Sequence, residues 1–338
     1  MKQKILSTVK FLAFFSFGIF LIWLVIKDLS EKDKSEILHS LREADYRWVI
    51  LSIIIGVISH ILRTLRWKLL LLPLGHNPKI SNTFYSVMAG YLANFGLPRL
   101  GEFVRCGLLK QYENIPFSQS FGTVIAERTI DLLTLFLIFI FTLYLEFASI
   151  YDYAYHHILL RVKIKMLKIF QNEMVLWFIL LSLFAVIVAF LLMRKKNNQN
   201  SFLGKIKNAA ISFQQGLLAI RNVRNPIQFI IYSILIWFMY FLAIYFCTFS
   251  LPETSNLSLG ACFVILSFGS LGVIVAPGGI GAYQLIVKEI LVPYGFTGPM
   301  IPKAIAFGWI TWIAQFALVF IVGILSFVML GIINKKKR

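Results

Sequence analysis

Gly96-Leu97-Pro98-Arg99-Leu100-Gly101-Glu102 and Pro277-Gly278-Gly279-Ile280-Gly281-Ala282-Tyr283-Gln284 break two apolar stretches where a helix crossing lipid would not tolerate it. Hydrocarbon offers a backbone no hydrogen-bond partners, so non-helical chain at membrane depth survives only if it is buried in protein or lines a polar cavity. Paired interruptions in the two halves of a membrane chain point to a binding site.

Outward from these breaks the chain reads as membrane-embedded. Of 338 residues, 59% are hydrophobic, 15% aromatic and only 14% charged, more apolar surface than a soluble core of this size can hide. Runs near 5–26, 48–72, 119–147, 174–193, 226–250 and 304–333 approach or exceed the roughly 20 residues that cross a bilayer. The net charge of +18 would suggest nucleic acid in a soluble protein. Here the cations cluster beside the ends of apolar runs, which makes them an orientation signal and leaves no expectation of nucleic acid. The run after Lys2 and Lys4 is followed by Lys27-Asp28-Leu29-Ser30-Glu31, which has no small-residue cleavage pattern, and reads as a retained anchor. Cys106, Cys247 and Cys262 lack metal-type spacing, and the five histidines form no zinc pattern, so neither metal nor cofactor is expected.

Charge then sets topology. Residues 194–225 hold seven Lys/Arg and no acid, and the sequence ends Lys335-Lys336-Lys337-Arg338, so both belong on the cytoplasmic side with the Lys2/Lys4 end. Residues 27–47, with five basic and six acidic residues, suit the outer side. With 48–72 running inward and 119–147 outward, 80–98 must enter and leave on one face as a re-entrant hairpin broken at Pro98. By the same logic 257–292 is a hairpin from the other face, broken at Pro277. A full span for 80–98 or 257–276 is the rival reading. The expected fold is therefore an all-α polytopic bundle of six or more spanning helices plus two broken hairpins in an inverted repeat. It forms a single membrane domain: anchor and outer loop 1–47, first repeat 48–147, central span 148–225, second repeat 226–338. Residues 158–170 and 202–217 read as amphipathic helices lying on a membrane surface or packed on the protein.

Three constellations could carry chemistry. Arg99, Glu102 and Arg105 share a helical face if the chain turns helical after Pro98, and two guanidiniums at a helix start suit a phosphate. Glu127, Arg128 and Asp131 fall inside an apolar run, where charges are costly. The two carboxylates, four apart, need a cation between them, from Arg128, Arg99 or Arg105. Gly278, Gly279 and Gly281 allow close backbone approach, and the Gln284 amide either bonds a headgroup or caps backbone freed at the break. Arg63 and Arg66, followed by Trp67 and Lys68, are expected to snorkel to inner headgroups, and Arg63 stands with the candidate substrate-binding residues.

The ordered set Arg63…Arg66-Trp67, Arg-x-Gly-Glu-x-x-Arg at 99–105, Glu-Arg-x-x-Asp at 127–131 and Pro-Gly-Gly-Ile-Gly at 277–281 resembles the flippase-like membrane domain of lysylphosphatidylglycerol synthases, a domain that also occurs alone. The resemblance covers about 5–333 and implies an inner-membrane protein that moves or holds a lipid. It places the Arg/Glu and Glu/Arg/Asp positions near the headgroup. Gln284 stands where the family commonly has Glu, and no aminoacyl-transferase region follows in this sequence.

The reading that results is a lipid flippase-like transporter of the cytoplasmic membrane with both termini cytoplasmic. No Gly-x-x-x-x-Gly-Lys-Ser/Thr loop is present for ATP hydrolysis. Its partner is a phospholipid or lipid-linked substrate, with a separate lipid-modifying enzyme and a second copy of the chain as further candidates. The alternatives are a membrane-embedded transferase, with Glu127 and Asp131 holding a divalent ion, or an anchor subunit for a separate enzyme.

Overall fold

The computed structural model describes residues 16, 18–27, 29–96, 99–147, 151, 223 and 225–335. The central span 174–193 and both proposed surface helices lie outside them. Residues 18–26 are helical. They are followed by α1 (Glu31–Glu43), α2 (Tyr46–Leu71), α3 (Ile80–Gly96), α4 (Leu100–Glu113), α5 (Phe117–Leu145), α6 (Pro226–Thr248), α7 (Leu259–Val275), α8 (Ala282–Leu291) and α9 (Ile301–Ile333). No strand occurs among the described residues. The segments Tyr46–Leu74, Pro226–Thr248 and Gly298–Ile333 are long and apolar enough to cross a membrane. The chain is an all-α membrane bundle.

Local chemistry sets the element ends. Ser30 opens α1 with a capping box, its hydroxyl accepting from Asp33 N–H and the Asp33 carboxylate accepting from Ser30 N–H. Asp45 caps α2, Pro226 takes the first position of α6, and Ser258 caps α7. After α2, Pro73 lies in a single 3-10 turn that ends at Gly75 in the left-handed region, φ 82°.

Each half reads long, short, short, long: α2–α5, then α6–α9. Their packing exchanges accordingly. α3 lies on α9 as α7 lies on α5, α2 on α3 as α6 on α7, α4 on α5 as α8 on α9, and α2 packs on its own counterpart α6. Equivalent helices run in opposite directions. Asp45 N–H, before α2, donates to Ser250 C=O, after α6, at 2.9 Å. At the other end Arg66 of α2 lies over the Phe229 ring, in the first turn of α6, at 5.7 Å.

Both hairpins enter and leave on one face each. The Asn82 amide, in the first turn of α3, donates to Glu113 at the end of α4 (2.5 Å) and to Asn334 beyond α9 (3.2 Å), so α3 begins where α4 ends. On the opposite face Tyr294, just past α8, donates to Glu146, just past α5, at 2.9 Å. The same Glu146 side chain packs on Gly260 at the start of α7. Lys303, opening α9, bridges Glu36 (2.6 Å) and Glu253 (3.1 Å) on this face, and holds the half-exposed Glu36 carboxyl below the usual carboxylate range. The inverted repeat read from charge counts is thus present, with hairpins inserted from the Asn82 face and the Lys303 face.

The hairpin tips meet inside the bundle. Leu97 and Pro98 fall outside the described residues, but Arg99, the N-cap of α4, holds φ 66°, rare for a residue with a side chain. The second break is a 3-10 turn, Pro277–Gly279, with Gly278, Gly279 and Gly281 all at positive φ. Phe95, at the end of α3, lies so close to Gly278 that a side chain there would overlap the ring. Trp312 of α9 donates to Gly278 C=O at 2.7 Å, and the Phe95 ring meets Phe316 edge-on at 5.2 Å. The first helical stretch closes over this point, with Gly18 and Leu21 against Gly281.

Candidate functional site

Arg63 and Arg66, three apart, share one face of α2, and Glu127 and Asp131, four apart, share one face of α5. The two faces meet. Arg63 Nη1 donates to Glu127 Oε1 (2.7 Å) and Asp131 Oδ2 (2.6 Å), while Arg66 Nη2 donates to Asp131 Oδ1 (2.6 Å) and Glu127 Oε1 (3.3 Å). Arg105 of α4 reaches the remaining Glu127 oxygen at 3.0 Å. Tyr240 of α6 accepts from Arg63 at 3.1 Å, and Ser233 from Arg66 at 3.2 Å. Four helices therefore supply one ion lattice. Arg63, Glu127 and Arg105 lie eight to ten residues from the ends of their helices, about 12–15 Å from the Asn82 face, near mid-bilayer depth.

Aromatic walls enclose the lattice. The Arg105 guanidinium lies 4.6 Å from the Trp67 ring centroid, and Trp67 Nε1 donates to Thr123 at 2.9 Å. Tyr91 of α3 is faced by both Arg63 and Arg128 at 5.8 Å. Glu127 and Arg66 are fully buried, and Arg63 and Arg105 are 3% exposed. Withdrawing a charge this far from water costs several kcal/mol, offset only by close pairing.

This geometry overturns four expectations. Arg63 and Arg66 do not snorkel, because they face the bundle, where both carboxylates lie. Arg128 does not bridge Glu127 and Asp131. It pairs with Glu102 at 3.2 Å, with its own side chain 39% exposed. Arg105 does not share a ligand face with Glu102, since it turns inward to Glu127. Glu127 and Asp131 are not a free carboxylate pair for a divalent ion, as arginines occupy them. Among the described residues no group of three His, Cys, Asp or Glu could hold a metal ion.

The lattice grades into a more open margin. Arg99 at the tip is exposed, and Glu102 and Arg128 are partly so. Counting Arg63, Arg66, Arg105 and Arg128 against Glu102, Glu127 and Asp131, four guanidiniums meet three carboxylates and leave one net positive charge. Donor edges remain unused: Nε and Nη2 of Arg105 and Nε of Arg63, Arg66 and Arg128 are buried without a partner, as is Oε2 of Glu102. Such an arrangement accepts one anionic group. Sequence reasoning missed Tyr91, Tyr240 and His60, whose ring lies 4.7 Å from Tyr91. A His or Tyr in an apolar run carries no sign of which way it faces.

The second break stands apart from the ions. Gln284 is fully buried in the first turn of α8, and neither amide atom has a hydrogen-bond partner, so it does not cap the broken backbone.

Buried ions at mid-depth between two oppositely inserted hairpins define an integral membrane protein with a polar site inside its bundle. The chain belongs to the family described as lysylphosphatidylglycerol synthase TM region, which it matches over residues 9–329. Glycosyltransferase AglD of Haloferax volcanii is 33% identical over 104 residues, covering 30% of this chain and 17% of that protein. Two membrane proteins of Methanocaldococcus jannaschii are also similar. UPF0104 membrane protein MJ1595 is 30% identical over 99 residues, 28% of this chain and 30% of its own length. UPF0104 membrane protein MJ1078 is 28% identical over 195 residues, 57% and 75%. The aligned stretch thus spans under a third of the first two relatives. No solved structure matches.

Proposed function

We propose that the protein binds a phosphate-bearing lipid headgroup and carries it across the cytoplasmic membrane without hydrolysing ATP. The observation that supports this best is the pair of hairpins, entering from opposite faces and touching tip to tip beside a buried cluster with one surplus positive charge. A site at mid-depth lying between two hairpins that enter from opposite faces can be opened to either face in turn if the hairpins move independently. In this reading Arg99 and Arg128, the least enclosed cations, meet the phosphate, and Glu102 orients Arg128. The inner lattice of Arg63, Arg66, Arg105, Glu127 and Asp131 holds α2, α4 and α5 rigid behind them. The basic segment 194–225 and the terminal lysines support an orientation with the Asn82 face toward the cytoplasm.

Proteoliposomes carrying a fluorescent phospholipid test the proposal. Purified protein should expose the inner-leaflet label to an impermeant quencher, and the double variant Arg99→Ala, Arg128→Ala should slow this at least tenfold while melting within a few degrees of the parent. Equal rates would remove these arginines from the pathway. A membrane-embedded transferase is the second reading, favoured by the stretch shared with the glycosyltransferase. Turnover of a labelled lipid-linked sugar by the purified protein would establish it. Under either reading a separate lipid-modifying enzyme or a second copy of the chain is a candidate partner.

A further inference from the structure

On the Asn82 face the ends of α4 and α9 border a cavity of about 420 Å³. Tyr112 of α4 forms one side, and Phe327, Val328, Gly331, Ile332 and Lys335, in and just after α9, form the other. Small-molecule sites run from roughly 300 to 1,000 Å³, so there is room for one headgroup-sized ligand. The cavity stands apart from the ion lattice and the hairpin tips, at the base of the first hairpin, where Asn82 bonds both Glu113 and Asn334. Its lining is sorted by depth. From Phe327 to Lys335 the chain advances eight residues, about 12 Å as helix, from exposed apolar side chains to a cation.

The polar groups left free in this lining call for an anion. The Asn334 amide, also in the lining, is taken up by Asn82 and the Leu330 carbonyl. The Lys335 ammonium and the Tyr112 hydroxyl engage no hydrogen bond or ion pair among the described residues. Two helices end here, and each end contributes about half a negative charge. Against them the sequence sets Lys335-Lys336-Lys337-Arg338, while the Glu113 carboxylate accepts from Asn82. Gly331 is the second observation. Glycine inside a helix costs about 1 kcal/mol relative to alanine. Gly323, about two turns earlier, has its reason in Leu92 and the Met88 carbonyl of α3, which a Cβ would crowd. Nothing lies within 4 Å of a Cβ at Gly331, so packing within the chain does not call for glycine there. Its missing side chain deepens the cavity and lets a ligand approach the backbone closely.

We propose that this cavity holds one acidic phospholipid from the leaflet on the Asn82 face. Its phosphate meets Lys335 and Tyr112, and an acyl chain lies over Gly331 against Phe327, Val328 and Ile332. A soluble anion would leave the apolar half of the cavity unused, whereas a lipid engages both halves. The lipid is a resident of the bundle's flank. It ties the end of α4 to the end of α9 and does not enter the site between the hairpin tips. The proposal goes beyond the translocator reading and stands whether or not the protein moves lipid.

The test melts the full-length protein in detergent with phosphatidylglycerol or, at the same mole fraction, with zwitterionic phosphatidylcholine. Phosphatidylglycerol should raise the melting temperature by about 3 °C more, the shift expected when a ligand stands at roughly ten times its dissociation constant. Equal shifts overturn the proposal. Gly331→Leu fills the cavity without meeting protein near its Cβ, so without lipid it should melt at or above the parent while the difference between the lipids disappears. A difference kept in Gly331→Leu would mean that the charge of the tail alone attracts the lipid, and overturns the site. Should Gly331→Leu fail to fold, Lys335→Glu decides: this exposed change should abolish the difference, and an unchanged shift overturns the proposal. The double variant Arg99→Ala, Arg128→Ala should keep the full difference. Its loss there would put the stabilising lipid between the hairpin tips and overturn the proposal, leaving the translocator reading intact. If neither lipid shifts the parent and Gly331→Leu changes its mass by light scattering, the cavity is an interface between copies and the lipid site is wrong.

Discussion

Glu127→Ala should destabilise the protein by about 3–5 kcal/mol, the usual consequence of stripping a buried ion of its partner. Glu127 is fully buried and accepts from Arg63, Arg66 and Arg105 at 2.7, 3.3 and 3.0 Å, so its loss leaves three enclosed guanidiniums facing one carboxylate, Asp131. Thermal unfolding of the detergent-solubilised protein measures the effect. Arg128→Ala is the comparison: with a single carboxylate partner and a side chain 39% exposed, it should cost about 1 kcal/mol or less. Adding Arg105→Met to Glu127→Ala should recover part of the loss by removing the guanidinium left without its carboxylate. If Glu127→Ala melts no lower than Arg128→Ala, the lattice is hydrated and does not hold the bundle.

Gly101→Ala should be the second large effect, through packing instead of charge. A Cβ at Gly101 would overlap the Gly90 carbonyl of α3, and the neighbouring Asn94 amide, 2.8 Å from that Cβ, is the group that accepts from Gly101 N–H. Backbone cannot retreat as a flexible side chain can, so the two helices of the first hairpin must part. Overpacking of this kind costs about 1–3 kcal/mol, and losing the Asn94 bond adds to it. Gly107→Ala, in the same helix with nothing within 4 Å of its Cβ, should instead gain about 0.5–1 kcal/mol. Equal melting temperatures for the two variants would contradict the close α3–α4 contact.

What was legible in the sequence follows from how local each signal is. Proline and glycine mark a break wherever they fall, so both hairpins could be found, and lysines and arginines beside apolar runs gave their opposite insertion. The carboxylate pair at 127 and 131 was readable as a buried site because its spacing and apolar setting are contiguous. Of its partners Arg105, named among the candidate cations, does pair with Glu127, whereas Arg63 and Arg66 gave no such sign because they lie more than sixty residues away. An arginine near the end of an apolar run looks the same whether it faces headgroups or a neighbouring helix. The signal available was the matched spacing, three apart on α2 against four apart on α5. The position of Arg128 misleads for the converse reason. Adjacency in sequence to Glu127 turns its side chain about 100° around the helix, toward Glu102 and Tyr91.

Two hairpins inserted from opposite faces frame the site between their tips. Single cysteines at Lys79 and Lys110, beside the two ends of the first hairpin, and at Ser35 and Ser255, on the face where the second enters, can be challenged in intact cells with an impermeant thiol reagent, in a background lacking Cys106, Cys247 and Cys262. Lys79 and Lys110 should both be protected, while Ser35 and Ser255 both label. Labelling at only one of Lys79 and Lys110 would put the two ends of that hairpin on opposite faces, making 80–98 a full span, and the inverted architecture together with the site between its tips would be wrong.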